Sequence, residues 1–110
     1  EELRQPAIDL RHEIPDVLRA FGELSQAAMA EGALSSQMKE LIALAIAATR
    51  ECDGCIVAHA RGAARLGATR QQVAEVLGVV ILMNGGPGTV WGPRALRAFD
   101  EALAEREPTA

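Results

Sequence analysis

The chain has 110 residues, 49% of them hydrophobic but only 3% aromatic, and a net charge of −4. That length is one domain by size and long enough to bury its own core, so residues 1–110 are expected to form a single domain. The acidic balance, with a pI near 5.1, and the absence of a dense Lys/Arg cluster exclude a nucleic-acid footprint. The longest apolar run, Leu41 to Ala48, is far short of a membrane span.

Ala and Leu carry the apolar content, whereas aromatic strand formers are scarce, so the expected class is all-α with about five helices. The opening stretch "EELRQPAIDL" lacks a basic segment followed by an apolar one, so no signal peptide is expected in it and a cytoplasmic setting is. His12 lies among charges ahead of the first expected helix, where solvation is the simplest role. That helix runs from Ile14 to Ala30, with Pro15 in its first turn and Val17, Leu18, Phe21, Leu24, Ala28 and Met29 at helical spacing. Ser35 or Ser36 caps a second helix that ends near Arg50; its "LIALAIAA" segment is apolar nearly all round and should be heavily buried. A third helix starts near Cys52 and stops at Gly67, a natural glycine terminator. Thr69 caps a fourth, with Val73, Val76, Leu77, Val80 and Ile81 as its apolar stripe. "NGGPG" (residues 84–88) reads as a helix–helix turn, because a phosphate cradle would need a preceding strand and a Gly-Lys-Ser/Thr ending. A fifth helix follows from Thr89 to Ala104 with Leu96, Phe99 and Leu103 inward, and the tail "EREPTA" is expected to fray.

The chemistry concentrates in "ECDGCIVAH". Cys52 and Cys55 are the two cysteines of the chain and His59 is one of its two histidines. At about 100° per residue, Cys52, Cys55, Ile56, His59, Ala63 and Leu66 fall within an arc of about 100°, the width of a core-facing stripe. Both thiols sit in the first helical turn, where free N–H groups and the positive dipole end stabilise a thiolate. His59, four residues after Cys55, can accept the thiol proton. Arg61 and Arg65 map to the opposite side of this helix.

The base would need an orienter, and Glu40, at the start of the apolar run, is the candidate. It has no cation three or four residues away on its own helix, so burial would push its carboxyl upward unless another helix supplies a partner. His59 could be that partner. Plainer roles exist for each: Glu40 as a first-turn acid on the helix dipole, His59 as a hydrogen-bonded core histidine, the cysteines as small hydrophobes. A zinc site on Cys52, Cys55 and His59 is the sharpest chemical competitor. It needs a fourth ligand from His12, an acid, another subunit or water. A thioredoxin-type site wants a βαβ context that this sequence does not offer.

These residues resemble the carboxymuconolactone decarboxylase-like superfamily, and within it the alkylhydroperoxidase (AhpD-like) branch. That branch carries a glutamate, the first cysteine of a CxxC twelve residues on, and a histidine four past the second cysteine; here these are Glu40, Cys52, Cys55 and His59. The flanking "KELIALAIAA", "HARGAARLGAT" and "MNGGPG" look similar too, so the resemblance covers residues 15–104. It implies an all-α oligomer, trimeric or hexameric, with thiol-dependent peroxidase and antioxidant activity. Glu40 and His59 would relay a proton to Cys55, which attacks the peroxide, and Cys52 would resolve the sulfenic acid into a redox-active Cys52–Cys55 disulfide. No separate cofactor is implied. The implied partners are a hydroperoxide, an external dithiol on a lipoyl protein or a thioredoxin-like protein, and a peroxiredoxin. The chain departs from better-known peroxidases in its single module and its Asp53-Gly54 centre, where a negative charge beside the thiols opposes thiolate formation. The decarboxylase branch usually lacks the CxxC, which argues against lactone decarboxylation. A metal-dependent or lyase-type enzyme, or a non-enzymatic redox sensor on the same fold, are the alternatives.

Overall fold

The computed structural model describes residues 2–106 and contains six helices among them: α1 (Arg4–Glu13), α2 (Pro15–Met29), α3 (Ser36–Thr49), α4 (Asp53–Arg65), α5 (Arg70–Asn84) and α6 (Gly86–Arg106). The class is all-helical as expected, with one helix more than the periodicity suggested. The addition is α1, whose apolar residues Leu3, Ala7, Leu10 and Ile14 fall at helical spacing but form a short stripe, with Leu3 and Ile14 at the two caps. Pro6 falls in its first turn, where a missing N–H costs nothing, and Gln5 Nε2 donates to Asp9 one turn on at 2.9 Å. His12 lies in the last turn of α1 rather than ahead of a helix, and it is exposed as expected. Of the tail, Glu105 and Arg106 continue α6; residues 107–110 lie outside the described residues.

The chain divides into two compact units, residues 1–30 and 31–110. In the first, α1 and α2 are joined through Ile14 and bury no residue. The expected stripe of α2 is present but uncovered, and Phe21 is 65% exposed.

The second unit contains the core. There α3 and α6 touch each other, and α4 and α5 each pack against both. Leu41, Leu44, Ala47 and Ala48 of α3 meet Ile56, Ala60, Ala63 and Ala64 of α4, Val73, Leu77 and Val80 of α5, and Ala95, Phe99 and Ala102 of α6. Alanine dominates these contacts, so helix axes can approach closely, and Phe99, Leu44 and Val73 are the largest side chains fully enclosed. Burial of α3 is less complete than its composition suggested. Ile42 and Ile46 are exposed, because four-helix packing covers only one stripe of a helix that is apolar all round.

Local signals place the helix ends. Ser35 Oγ accepts from Met38 N–H at 3.0 Å to start α3. Thr69 and Gln72 form a reciprocal capping box at α5. At the "NGGPG" turn Gly85 takes φ +68°, and a Cβ on Gly88 would lie 2.8 Å from Ile81 Cα, so the turn is built for close approach of α5 and α6. Pro87 sits in the first turn of α6, which lets the helix begin at Gly86 rather than Thr89. Arg70 pairs bidentately with Asp100, and Arg61 with Glu105. Hydrogen bonding from these guanidiniums holds the Asp100 and Glu105 carboxyls below their ordinary range. Such exposed pairs hold register more than they stabilise. No helix among the described residues is long and apolar enough to cross a membrane.

Candidate active site

Two hydrogen bonds close the end of α3. Cys52 N–H donates to Ala47 O and Glu51 N–H to Ala48 O, both at 3.1 Å. This is a Schellman-type ending, and it requires a left-handed residue between the two helices. Glu51 fills that position at φ +54°, the one non-glycine residue with positive φ among the described residues. The chain therefore reverses within three residues and delivers Cys52 directly to the N-cap of α4. There Cys52 Sγ accepts the Cys55 N–H at 3.3 Å. Cys52 and Cys55 are joined as a disulfide. Cys52 is half-buried and Cys55 exposed.

The disulfide opens onto a cavity of about 530 Å³ lined by Ala43, Ile46, Ala47, Arg50, Cys52, Cys55 and His59. All four candidate residues thus meet at one place, three on the cavity wall and Glu40 behind it. Glu40 is only 7% exposed, and its Oε1 accepts from His59 Nδ1 at 2.7 Å. A carboxylate cannot donate, so Nδ1 carries the hydrogen in this pair, and in the neutral form of the ring Nε2 is the acceptor. The His59 side chain is 30% exposed, placing the ring between the buried acid and the cavity. The helical phasing of α4 holds for Ile56 and Ala63, which are buried, and less well for Leu66, which is exposed at the helix end.

Three arginines complete the surroundings. Arg65 Nη2 lies 3.8 Å from Glu40 Oε2, a second partner for the buried acid. Phasing put Arg65 on the far side of α4, but it locates Cα atoms, and a long side chain reaches round the helix. Arg50 lines the cavity from the C-terminal end of α3. Arg94 Nη1 donates to Asp53 Oδ1 at 3.4 Å while its guanidinium lies 4.7 Å over the Trp91 ring. The negative charge flagged beside the thiols therefore has a cation against it. No sequence signal short of the packed helices connects residue 94 to residue 53, since the two lie on different elements. Among the described residues, no cluster of three or more His, Cys, Asp or Glu side chains is arranged to hold a metal ion.

A protein of known structure shares this helical fold. The chain is 38% identical to a carboxymuconolactone decarboxylase family protein of Legionella pneumophila, whose crystal structure superposes with a TM-score of 0.87 over 93% of this chain and 91% of that one. It is 44% identical over 86 residues to an uncharacterized protein of Cupriavidus necator, covering 78% of this chain and 76% of the relative. It is 40% identical over 82 residues to uncharacterized protein 4 of the cox locus of Paracoccus denitrificans, covering 74% of each. Residues 15–104 match the carboxymuconolactone decarboxylase family as a whole, a group that includes decarboxylases and alkylhydroperoxidases. With its helical frame, its match across most of its length and its solved relative all in agreement, the chain belongs to the carboxymuconolactone decarboxylase family.

Proposed function

We propose that this protein is a thiol-dependent hydroperoxidase of the AhpD-like kind, cycling through its Cys52–Cys55 disulfide. The observation that carries this reading is one cavity presenting a disulfide beside an imidazole whose far nitrogen is hydrogen-bonded to a buried carboxylate. A thiol needs a base within reach and a base needs an orienter, and His59 on the same cavity with Glu40 behind it are the candidates for those roles.

In the reductive half, a thiolate of an external dithiol attacks the exposed Cys55 sulfur. The Cys52–Cys55 bond breaks and Cys52 leaves as a thiolate. The Cys55 N–H and the N-terminal end of α4 stabilise that charge. The second thiol of the reductant then closes its own disulfide and releases Cys55. In the peroxidatic half, His59 takes the Cys55 proton through Nε2 while Glu40 holds the resulting imidazolium. Cys55 attacks the terminal peroxide oxygen, the O–O bond breaks, and the alkoxide takes a proton from His59 and departs as the alcohol. Cys52 attacks the sulfenic acid, expelling water and restoring the disulfide. One hydroperoxide and one dithiol thus give one alcohol, one water and one disulfide. The cycle calls for no cofactor beyond the cysteine pair.

The natural dithiol in this reading is a lipoyl-bearing or thioredoxin-like protein, with a peroxiredoxin as a further redox partner, in the cytoplasm. Assembly as a homotrimer or homohexamer belongs to the same proposal. It is supported by the uncovered apolar side chains of α2 and by Ile42, Ile46, Val79, Leu82 and Met83 on α3 and α5.

Steady-state consumption of an organic hydroperoxide with reduced dihydrolipoamide tests the function. Wild-type protein should turn over, and Cys55→Ser should reduce the rate to background. Full activity in Cys55→Ser would remove Cys55 from the chemistry, and silence of the wild type would remove the peroxidase reading.

A further inference from the structure

Gly62 lies inside α4, three residues after His59, and is buried. Glycine in a helix interior costs about 1 kcal/mol relative to alanine. Its backbone gives no reason for that cost, because the positive φ angles among the glycines belong to Gly67 and Gly85. The reason is in the space where its side chain would be. A Cβ built on Gly62 would collide with the Glu40 carboxylate: it falls on Cδ and Oε2 and lies 2.7 Å from Oε1. All three nearest atoms are side-chain atoms of that one residue. The other buried glycines differ. At Gly88 the missing Cβ makes room for the backbone of α5, and at Gly92 the nearest atoms are an ordinary 3.9 Å away.

We propose that Gly62 is a positioning residue whose missing side chain forms the notch through which the Glu40 carboxylate reaches His59 Nδ1. The carboxylate is then bounded by His59 on Oε1, by Arg65 toward Oε2 and by the α4 backbone at Gly62. A single methyl group closes the notch. The group it meets is the end of a flexible side chain rather than backbone, so the helices stay in place and the carboxylate moves. Gly62→Ala is therefore a way to withdraw Glu40 from His59 without touching either residue. The part of this proposal that concerns turnover rests on the peroxidase reading above; the part that concerns the histidine does not.

The experiment follows the imidazole nitrogens of His59 by ¹⁵N NMR alongside hydroperoxide turnover with dihydrolipoamide. Wild-type protein should show the Nδ1–H tautomer. Gly62→Ala should lose that signature, and kcat should fall roughly 10- to 100-fold with KM unchanged, the loss of an oriented base. Gly62→Ala added to Glu40→Ala should change neither readout further, because a residue that acts only through Glu40 has nothing left to act on. Retention of the Nδ1–H signature in Gly62→Ala would overturn the proposal, as would an added loss in the Glu40→Ala background. If Gly62→Ala does not fold, Gly62→Ala with Glu40→Ala decides: a folded double variant assigns the clash to the carboxylate, and an unfolded one refutes it. A wild type without turnover would sink the peroxidase reading and leave the tautomer measurement to judge Gly62.

Discussion

The two turns that flank α4 use the same hydrogen bonds and spend them differently. At the end of α4, Ala68 N–H donates to Ala63 O and Gly67 N–H to Ala64 O, repeating the scheme by which Cys52 and Glu51 close α3. The later turn is built from residues suited to it. Gly67 takes φ +84° without a Cβ to clash, Gln37 Nε2 donates to Leu66 O at 2.9 Å, and Thr69 starts α5 with a full capping box. The earlier turn has a glutamate in the left-handed position and a cysteine as N-cap. A non-glycine residue there costs roughly 1–2 kcal/mol, and cysteine is not among the preferred caps. The same fold thus contains one turn built from residues suited to it and one in which a glutamate holds the left-handed position and a cysteine the cap. Backbone strain of this kind gathers where chemistry happens.

The comparison can be broken by exchanging what each turn does. The largest effect is expected from Cys52→Ser. Serine is a better cap, so the reduced protein should keep its thermal stability. Hydroperoxide turnover should fall on the order of a hundredfold, because resolution of Cys55 becomes intermolecular. Undiminished turnover would mean that Cys52 serves the helix and not the reaction. Gly67→Ala should cost about 1 kcal/mol in denaturant unfolding, from φ alone, because its Cβ would meet nothing closer than Gln37 Nε2 at 3.9 Å. A neutral result would show that the turn relaxes out of the left-handed region. The smallest effect should come from Glu51→Gly. Relief of strain, less the added freedom of glycine in the unfolded chain, leaves a gain of about 0.5 kcal/mol. A destabilised Glu51→Gly would point to a side-chain contribution from Glu51 and remove the contrast between the turns.

Much of the second unit was legible residue by residue. Ser35, Gly67 and Thr69 carry local signals that do not depend on the rest of the fold, and each sits where its chemistry predicted. Helix α1 was less legible, although Leu3, Ala7, Leu10 and Ile14 share one helical face, because that stripe is short, lies among charged residues and Pro6, and buries no residue. The four candidate residues were found from spacing and resemblance. Their meeting, three on the cavity wall and Glu40 behind it, however, depends on α3 and α4 packing together, which spacing along one chain does not encode. Arg65 escaped because its long side chain reaches Glu40 from a position that a helical wheel assigns to the far side, and Arg94 because its partner Asp53 lies on a different helix.

By itself, then, the sequence determined the helical class, most helix boundaries and the placing of two thiols and an imidazole on one helix. These follow from interactions within about four residues, which any stretch of chain carries with it. Only the tertiary structure decided that Glu40 reaches His59, that Arg94 answers the charge of Asp53, and that Gly62 is the opening through which the carboxylate passes. Those are contacts between helices, set by which faces the alanine-rich core draws together and how closely.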